Sequence, residues 1–289
     1  MSDGGQIRGV DGVGADGASD GAGAGAGVSA GVARDSAGVN AVPGAYGSAD
    51  EGAQRRISHT ELLGVGSGRV LVNSVLRGTE ATFTEHVKEL HRSLAPSESA
   101  FNLVWTHCVI VSRIGFTLAQ RYLTKHTAAG AVVAGPLPNP TVARLGGLVH
   151  DIGVYRVFDE AGVSFDGGRY IFHGLEGYRI LLDTGYGEDL AEFARNHTGV
   201  GITADDVARQ HLTLPAGDYS PRTIEQELVM YADKFHTKSQ PPTFVSSASA
   251  RRSAERFGED NAARFDALTA RYGVPVLAAL ADEYKMVVR

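Results

Sequence analysis

At 289 residues with a formal net charge of −6, the chain is long enough for a sizeable core and carries no basic excess, which excludes a general binder of nucleic-acid duplexes or membrane surfaces. A single cysteine, Cys108, excludes an internal disulfide and a cysteine-ligated zinc site, and fits the reducing cytoplasm expected as its location. The N-terminus lacks the basic-then-apolar order of a signal peptide, and no uninterrupted apolar run reaches the ~20 residues a bilayer crossing needs, so no membrane partner is expected.

Residues 1–52 are mostly Gly, Ala, Ser and Asp, and Asp20 to Val28 reads Asp-Gly-Ala-Gly-Ala-Gly-Ala-Gly-Val. Such a stretch has little to bury and much backbone entropy to lose, so it is expected to be a disordered tail. Residues 53–99 follow as an N-terminal helical extension. Within it, Gly64-Val-Gly66-Ser-Gly68 invites a phosphate-loop reading, but it lacks the third glycine of the dinucleotide fingerprint and a strand–turn–helix context. Thr84 to Leu94 has the pattern of a helix whose His86 and His91 stand about 140° apart around the axis, and both are expected on the surface rather than as ligands.

From Asn102 the apolar residues Leu103, Val104, Val111, Ile114 and Leu118 recur at helical steps, and His107 falls on the same stripe. Taken alone, His107 reads as a core histidine satisfied by a backbone carbonyl. Pro136-Leu-Pro138-Asn-Pro140 stops the chain, and Asn139 and Pro140 predict the cap and first residue of a helix that ends on His150 and Asp151. An imidazole and a carboxylate at an apolar helix end cost several kcal/mol of desolvation unless they are partnered. After Gly153 an irregular stretch turns at Asp166-Gly-Gly168, flanked by Arg156 and Arg169. His173 lies at or just before the start of a helix from Leu175 to Leu182, and His197 follows a helix from Asp189 to Asn196 that stops at Thr198-Gly199. A helix from Pro221, capped by Asp218 or Ser220, carries Asp233 and Lys234 beside its apolar face. Ser247–Phe257, Asn261–Tyr272 and Val274–Met286 are predicted as further helices, covering the core or forming the surface of a homo-oligomer.

Each of His107, His150, Asp151, His173, His197 and Asp233 has a structural explanation, but together they form a set of nitrogen and oxygen donors delivered by separate segments. Such a set suits divalent manganese, iron or zinc, and is larger than one ion that also holds water requires.

The order His107, His150-Asp151, Asp233, with Ile152-Gly153 completing an HDIG sequence, resembles the HD-domain superfamily of metal-dependent phosphohydrolases over approximately residues 100–240. His173 and His197 match the extra histidines of members that hold two metals, and Asn196-His197-Thr198 is similar to the corresponding segment of bacterial enzymes that split diadenosine tetraphosphate symmetrically. The cyclic-dinucleotide branch is matched less well. Val154 stands where that branch has lysine, His197 stands alone where it has paired histidines, and Gly177-Tyr178 is followed by Arg179 rather than proline.

The resemblance implies an all-α HD-domain helical bundle at residues 100–240, with additional C-terminal helices at 241–289. It implies two divalent ions (manganese or iron, less favourably zinc or magnesium) bridged by Asp151, a metal-activated hydroxide, and a nucleotide or other small phosphate ester as substrate. Asp151 and Lys234 are the catalytic candidates, and Lys234, Arg156 and Arg169 are the substrate-binding candidates; the bland alternative for these cations is solvated surface charge. The same scaffold also fits a di-iron oxygenase or a non-catalytic, metal-stabilised module. A structural ion, however, needs only a closed set of four donors.

Overall fold

The computed structural model describes residues 70–128, 135–159 and 161–289; the tail at 1–52 and the Gly64–Gly68 pattern lie outside them. The described residues are helical, with isolated β-bridges and no extended strand. In chain order the helices are α1 (Val70–Leu94), α2 (Glu98–Thr127), α3 (Pro140–Val149), α4 (His173–Asp183), α5 (Glu188–Arg195), α6 (Ala204–Arg209), α7 (Ile224–Asp233), α8 (Ser247–Glu255), α9 (Glu259–Tyr272) and α10 (Ala278–Tyr284). Short 3-10 turns at Ile152–Val157 and Tyr170–Phe172 occupy the irregular stretch before α4.

The bundle is organised around α2. Ser97 caps it by accepting from Ala100 N at 3.1 Å, and Val104, Val111, Ile114 and Leu118 bury one face against α3 and α7. Each such side chain removed from water contributes on the order of 1.5–3 kcal/mol. By length and composition α2 could cross a bilayer, but in this bundle its apolar stripe is core and holds the buried His107. Asn139 caps α3 as the sequence predicts, accepting from Thr141 N and Val142 N, with Pro140 in the first turn. At Gly147 the α3 backbone lies so close to α2 that a Cβ would sit 2.5 Å from the Ser112 Cα. That approach sets the C-terminal end of α3 beside His107.

The C-terminal helices share the main core: Phe265 of α9 packs near Tyr231 and Phe235, with ring centroids 5.6 and 6.3 Å apart. A smaller cluster of Val207, Leu214 and Tyr219 lies beneath the 3-10 turn that precedes α4.

Several local expectations are corrected. His91 is buried, not on the surface, because α1 lays that face of the helix against the core. Its ring nitrogens meet the Tyr155 hydroxyl at 3.1 Å and the Leu148 carbonyl at 2.9 Å, which supplies the partners a buried imidazole needs. His86 is exposed as expected. Helix α7 begins at Ile224, not Pro221, because the Thr223 side chain accepts from Gln226 N. Helix α6 follows a Thr203–Asp206 capping box that the sequence reading passed over. The last helix is shorter than predicted: Gly273 turns at φ 74° and α10 starts only at Ala278.

Candidate metal centre

The elements deliver six donor side chains to one buried locus. His107 comes from the middle of α2, His150 from the cap of α3, Asp151 from the residue after it, His173 from the first turn of α4, His197 from just beyond α5, and Asp233 from the last residue of α7. Gly153 makes this convergence possible. A Cβ there would overlap the His173 carbonyl oxygen and the Gly177 nitrogen, so the turn after Asp151 can lie directly on the start of α4 only as glycine. Beyond α5, Asn196 Nδ2 donates to Gln226 Oε1 at 3.4 Å, which ties the segment carrying His197 to α7.

The donors fall into two groups sharing Asp151. In the first, His107 Nε2 lies 3.0 Å from Asp233 Oδ1, 3.1 Å from Asp151 Oδ2 and 3.2 Å from His150 Nε2. His150 Nε2 lies 3.5 Å from each of the same two oxygens. In the second, His173 Nε2 and His197 Nε2 are 3.0 Å apart, and stand 3.6 and 3.3 Å from Asp151 Oδ1. An ion about 2.1 Å from each ligand leaves donor–donor edges of about 3.0 Å in octahedral and 3.4 Å in tetrahedral geometry, so both groups have the dimensions of coordination shells.

The hydrogen bonds behind the donors point the same way. His150, His173 and His197 direct Nδ1 at the carbonyls of Gly147, Tyr170 and Ala194, at 2.8, 2.6 and 2.7 Å. A carbonyl only accepts, so each Nδ1 carries a proton and each neutral ring turns an Nε2 lone pair inward. His107 reaches the same state by a longer route. His236 Nε2 lies 3.3 Å from the Met286 thioether, and His236 Nδ1 lies 2.9 Å from His107 Nδ1. Sulfur accepts, so His236 donates from Nε2 and accepts at Nδ1, leaving His107 Nε2 as a lone pair. Burial pushes His173 down to about 3, helped by His197, and holds His197 below its ordinary range, in keeping with neutral rings. Asp151 Oδ1, fully buried, has no hydrogen-bond donor. The Nε2 lone pairs of both groups and the bare Asp151 Oδ1 fit a divalent cation at each group.

The cations divide unevenly. Lys234 pairs with the outer oxygen of Asp233 at 2.8 Å and remains 20% exposed. Arg156 and Arg169 are exposed and, among the described residues, form no ion pair. Lys238, which the sequence reading did not single out, is the cation that enters the centre: its ammonium contacts Asp151 Oδ2. Burial alone would raise the Asp151 and Asp233 carboxyls. The charge of Lys238 on Asp151 and of Lys234 on Asp233, with the adjacent histidines, instead holds both well below the usual carboxylate range.

A helical bundle with this donor order defines a class. Residues 104–238 match the family model described as the HD domain. An uncharacterised protein of Methanocaldococcus jannaschii is 36% identical over 134 residues, which are 46% of this chain and 66% of that protein. Two tRNA (cytidine(56)-2'-O)-methyltransferases also match: that of Picrophilus torridus is 34% identical over 137 residues, 47% of this chain and 32% of that protein. The one from Thermoplasma volcanium is 29% identical over 120 residues, 40% of this chain and 32% of that protein. The chain thus spans just under two thirds of the first relative and about a third of the other two. Among solved structures, the HD domain of the L. monocytogenes phosphodiesterase PgpH aligns with a TM-score of 0.38 and 16% identity, covering 68% of this chain and 98% of that one. Its complex with cyclic-di-AMP aligns with the same TM-score and 15% identity, covering 71% and 99%.

Proposed function

We propose that the chain is a metal-dependent phosphohydrolase or phosphodiesterase acting on a nucleotide or another small phosphate ester. The observation that carries this reading is the division of one buried carboxylate, Asp151, between two donor groups, its Oδ2 facing His107 and His150 and its Oδ1 facing His173 and His197. On this reading His107, His150, Asp151 and Asp233 hold one ion, and Asp151, His173 and His197 hold a second. Two divalent ions supply Lewis acidity, neutralise phosphate charge and lower the pKa of a water so that hydroxide is available near neutral pH. Manganese or iron suits the all nitrogen and oxygen donor set better than zinc or magnesium does.

The chain's own residues do the rest. Asp151 fixes the spacing of the two groups, and the backbone carbonyls behind the histidines hold each Nε2 in register. Lys234, beside Asp233 and partly exposed, contacts the substrate phosphate or leaving group, and the exposed Arg156 and Arg169 draw in the anion. Catalysis is assigned to residues 100–240, with 53–99 as an extension and 241–289 as cover, in a cytoplasmic protein open to homo-oligomer formation. The methyltransferase names of two relatives describe proteins of which the match covers 32%, and that chemistry is not carried over.

The test is a panel of phosphate mono- and diesters, including nucleotides, incubated with manganese-loaded protein. Hydrolysis lost on chelation and regained on adding manganese supports the reading. A protein that binds the metal but cleaves no ester across the panel contradicts it.

A further inference from the structure

Lys238 occupies the first donor group. Besides its contact with Asp151 Oδ2, its Nζ lies 3.4 Å from His107 Nε2, and its side chain is only 10% exposed. These are two of the atoms assigned above to the first ion. An ammonium and a divalent cation cannot use the same carboxylate oxygen and the same imidazole lone pair together, because both are positive and both need those electrons.

The surroundings show where the ammonium comes from and where it can go. Lys238 lies in the loop after α7, whose ends are pinned: Thr237 N donates to the Thr243 carbonyl at 2.9 Å, and His236 pairs with Phe244 in an isolated bridge. The backbone is thus held while the four-carbon stem carries the charge. Inside the centre, the other carboxylate is already engaged, since Lys234 holds Asp233 Oδ2 at 2.8 Å. The Tyr170 ring, 6.0 Å from the ammonium, offers a face but no anion. Among the described residues Lys238 forms no ion pair other than that with Asp151, and to a Lys238 displaced from Asp151 a phosphate brought by the substrate would supply an anion.

Resting on the metal-centre reading, we infer that Lys238 is a tethered counter-cation that neutralises Asp151 in the ion-free protein and, when ions load, turns outward to bind the anionic group of the substrate. The two roles exclude each other in time, so removing the charge moves two affinities in opposite directions. A Lys238→Gln protein has nothing to displace and binds manganese more tightly; once loaded, it lacks a phosphate partner and binds inorganic phosphate more weakly. A residue that merely supported the fold would lower both or neither.

The experiment measures manganese affinity by chelator competition, starting from loaded protein so that an unstable ion-free variant is no obstacle, and inorganic phosphate binding to the loaded protein by calorimetry. For Lys238→Gln the expected changes are about tenfold tighter manganese and about tenfold weaker phosphate, with Lys238→Arg close to wild type in both. Unchanged or weakened manganese affinity overturns the exchange. Tighter manganese with unchanged phosphate binding overturns the transfer to substrate. Wild-type protein that takes up no manganese ends the metal-centre reading, and the inference with it, which separates that failure from a failure of Lys238 alone.

Discussion

His107 and His236 meet nitrogen to nitrogen, Nδ1 to Nδ1 at 2.9 Å, and this contact links the C-terminal segment to the centre of the bundle. The other histidines of the site lean on carbonyls three residues earlier in their own segments, whereas His107, in mid-helix, has its preceding carbonyls engaged by the helix itself. Its tautomer is set from outside, by His236 and through it by Met286. Replacing such a partner typically costs tenfold to a hundredfold in metal affinity. His236→Ala is expected to lose affinity in that range, read by chelator competition, with helical content retained. Met286→Leu, which keeps volume but removes the acceptor, should lose less. Equal affinity in all three proteins would mean that His107 needs no external orientation.

Gly153 supports the second donor group by steric means. Gly153→Ala places a methyl group against the His173 carbonyl and the Gly177 backbone, so the turn after Asp151 must lift away from α4. The expected result is a destabilisation of roughly 2–4 kcal/mol, by analogy with other overpacked contacts, together with loss of ion binding at the group containing His173 and His197. Denaturant unfolding and metal content check the two parts. A variant as stable as wild type with full metal content would show that the close approach is dispensable.

The pH dependence of stability has a contribution from a histidine outside both donor groups. Burial pushes His91 down to about 4, against the support of the Leu148 carbonyl. The unfolded chain, with an ordinary value near 6.5, binds the proton first as pH falls. Above pH 6.5 the residue is neutral in both states and costs nothing; from pH 6.5 down to about 4 the unfolded state gains protons the folded state does not, and stability is lost. The full loss is on the order of 3 kcal/mol. In His91→Gln the fall in melting temperature between pH 7 and pH 4 should be shallower than in wild type, although the variant starts less stable. Parallel curves would remove His91 from the account.

The centre was legible in the sequence to the extent that its residues sit on periodic elements. His107 lies on an apolar helical stripe, and His150-Asp151 ends an apolar helix capped by Asn139 and opened by Pro140; both features carry a place as well as a chemistry. His236 and Lys238 were missed because they follow α7 on irregular chain. Neither periodicity nor polarity distinguishes a loop lysine that folds inward from one that faces water, and only the packing of Thr237 and Phe244 turns it in. The nearest available signal was the spacing of His236, three residues after Asp233 at a helix end, where side chains return to the same face. His91 follows the same rule: helix geometry fixes its angle to His86, but which of the two faces the core depends on how α1 lies against Leu148 and Tyr155.

The central claim is that Asp151 joins two ion sites, and metal content per chain tests it most directly. Protein purified without a tag, loaded with manganese and freed of excess, is expected to carry about two ions per chain by elemental analysis. His197→Ala should carry about one and lose most phosphate-ester hydrolysis, because Asp151 Oδ1 then faces His173 alone. His126→Ala, whose ring stacks on Tyr122 and takes no part in either donor group, should match wild type in both. A His197→Ala protein with the same metal content and the same activity as wild type would contradict the two-ion centre and leave only the group of His107, His150, Asp151 and Asp233.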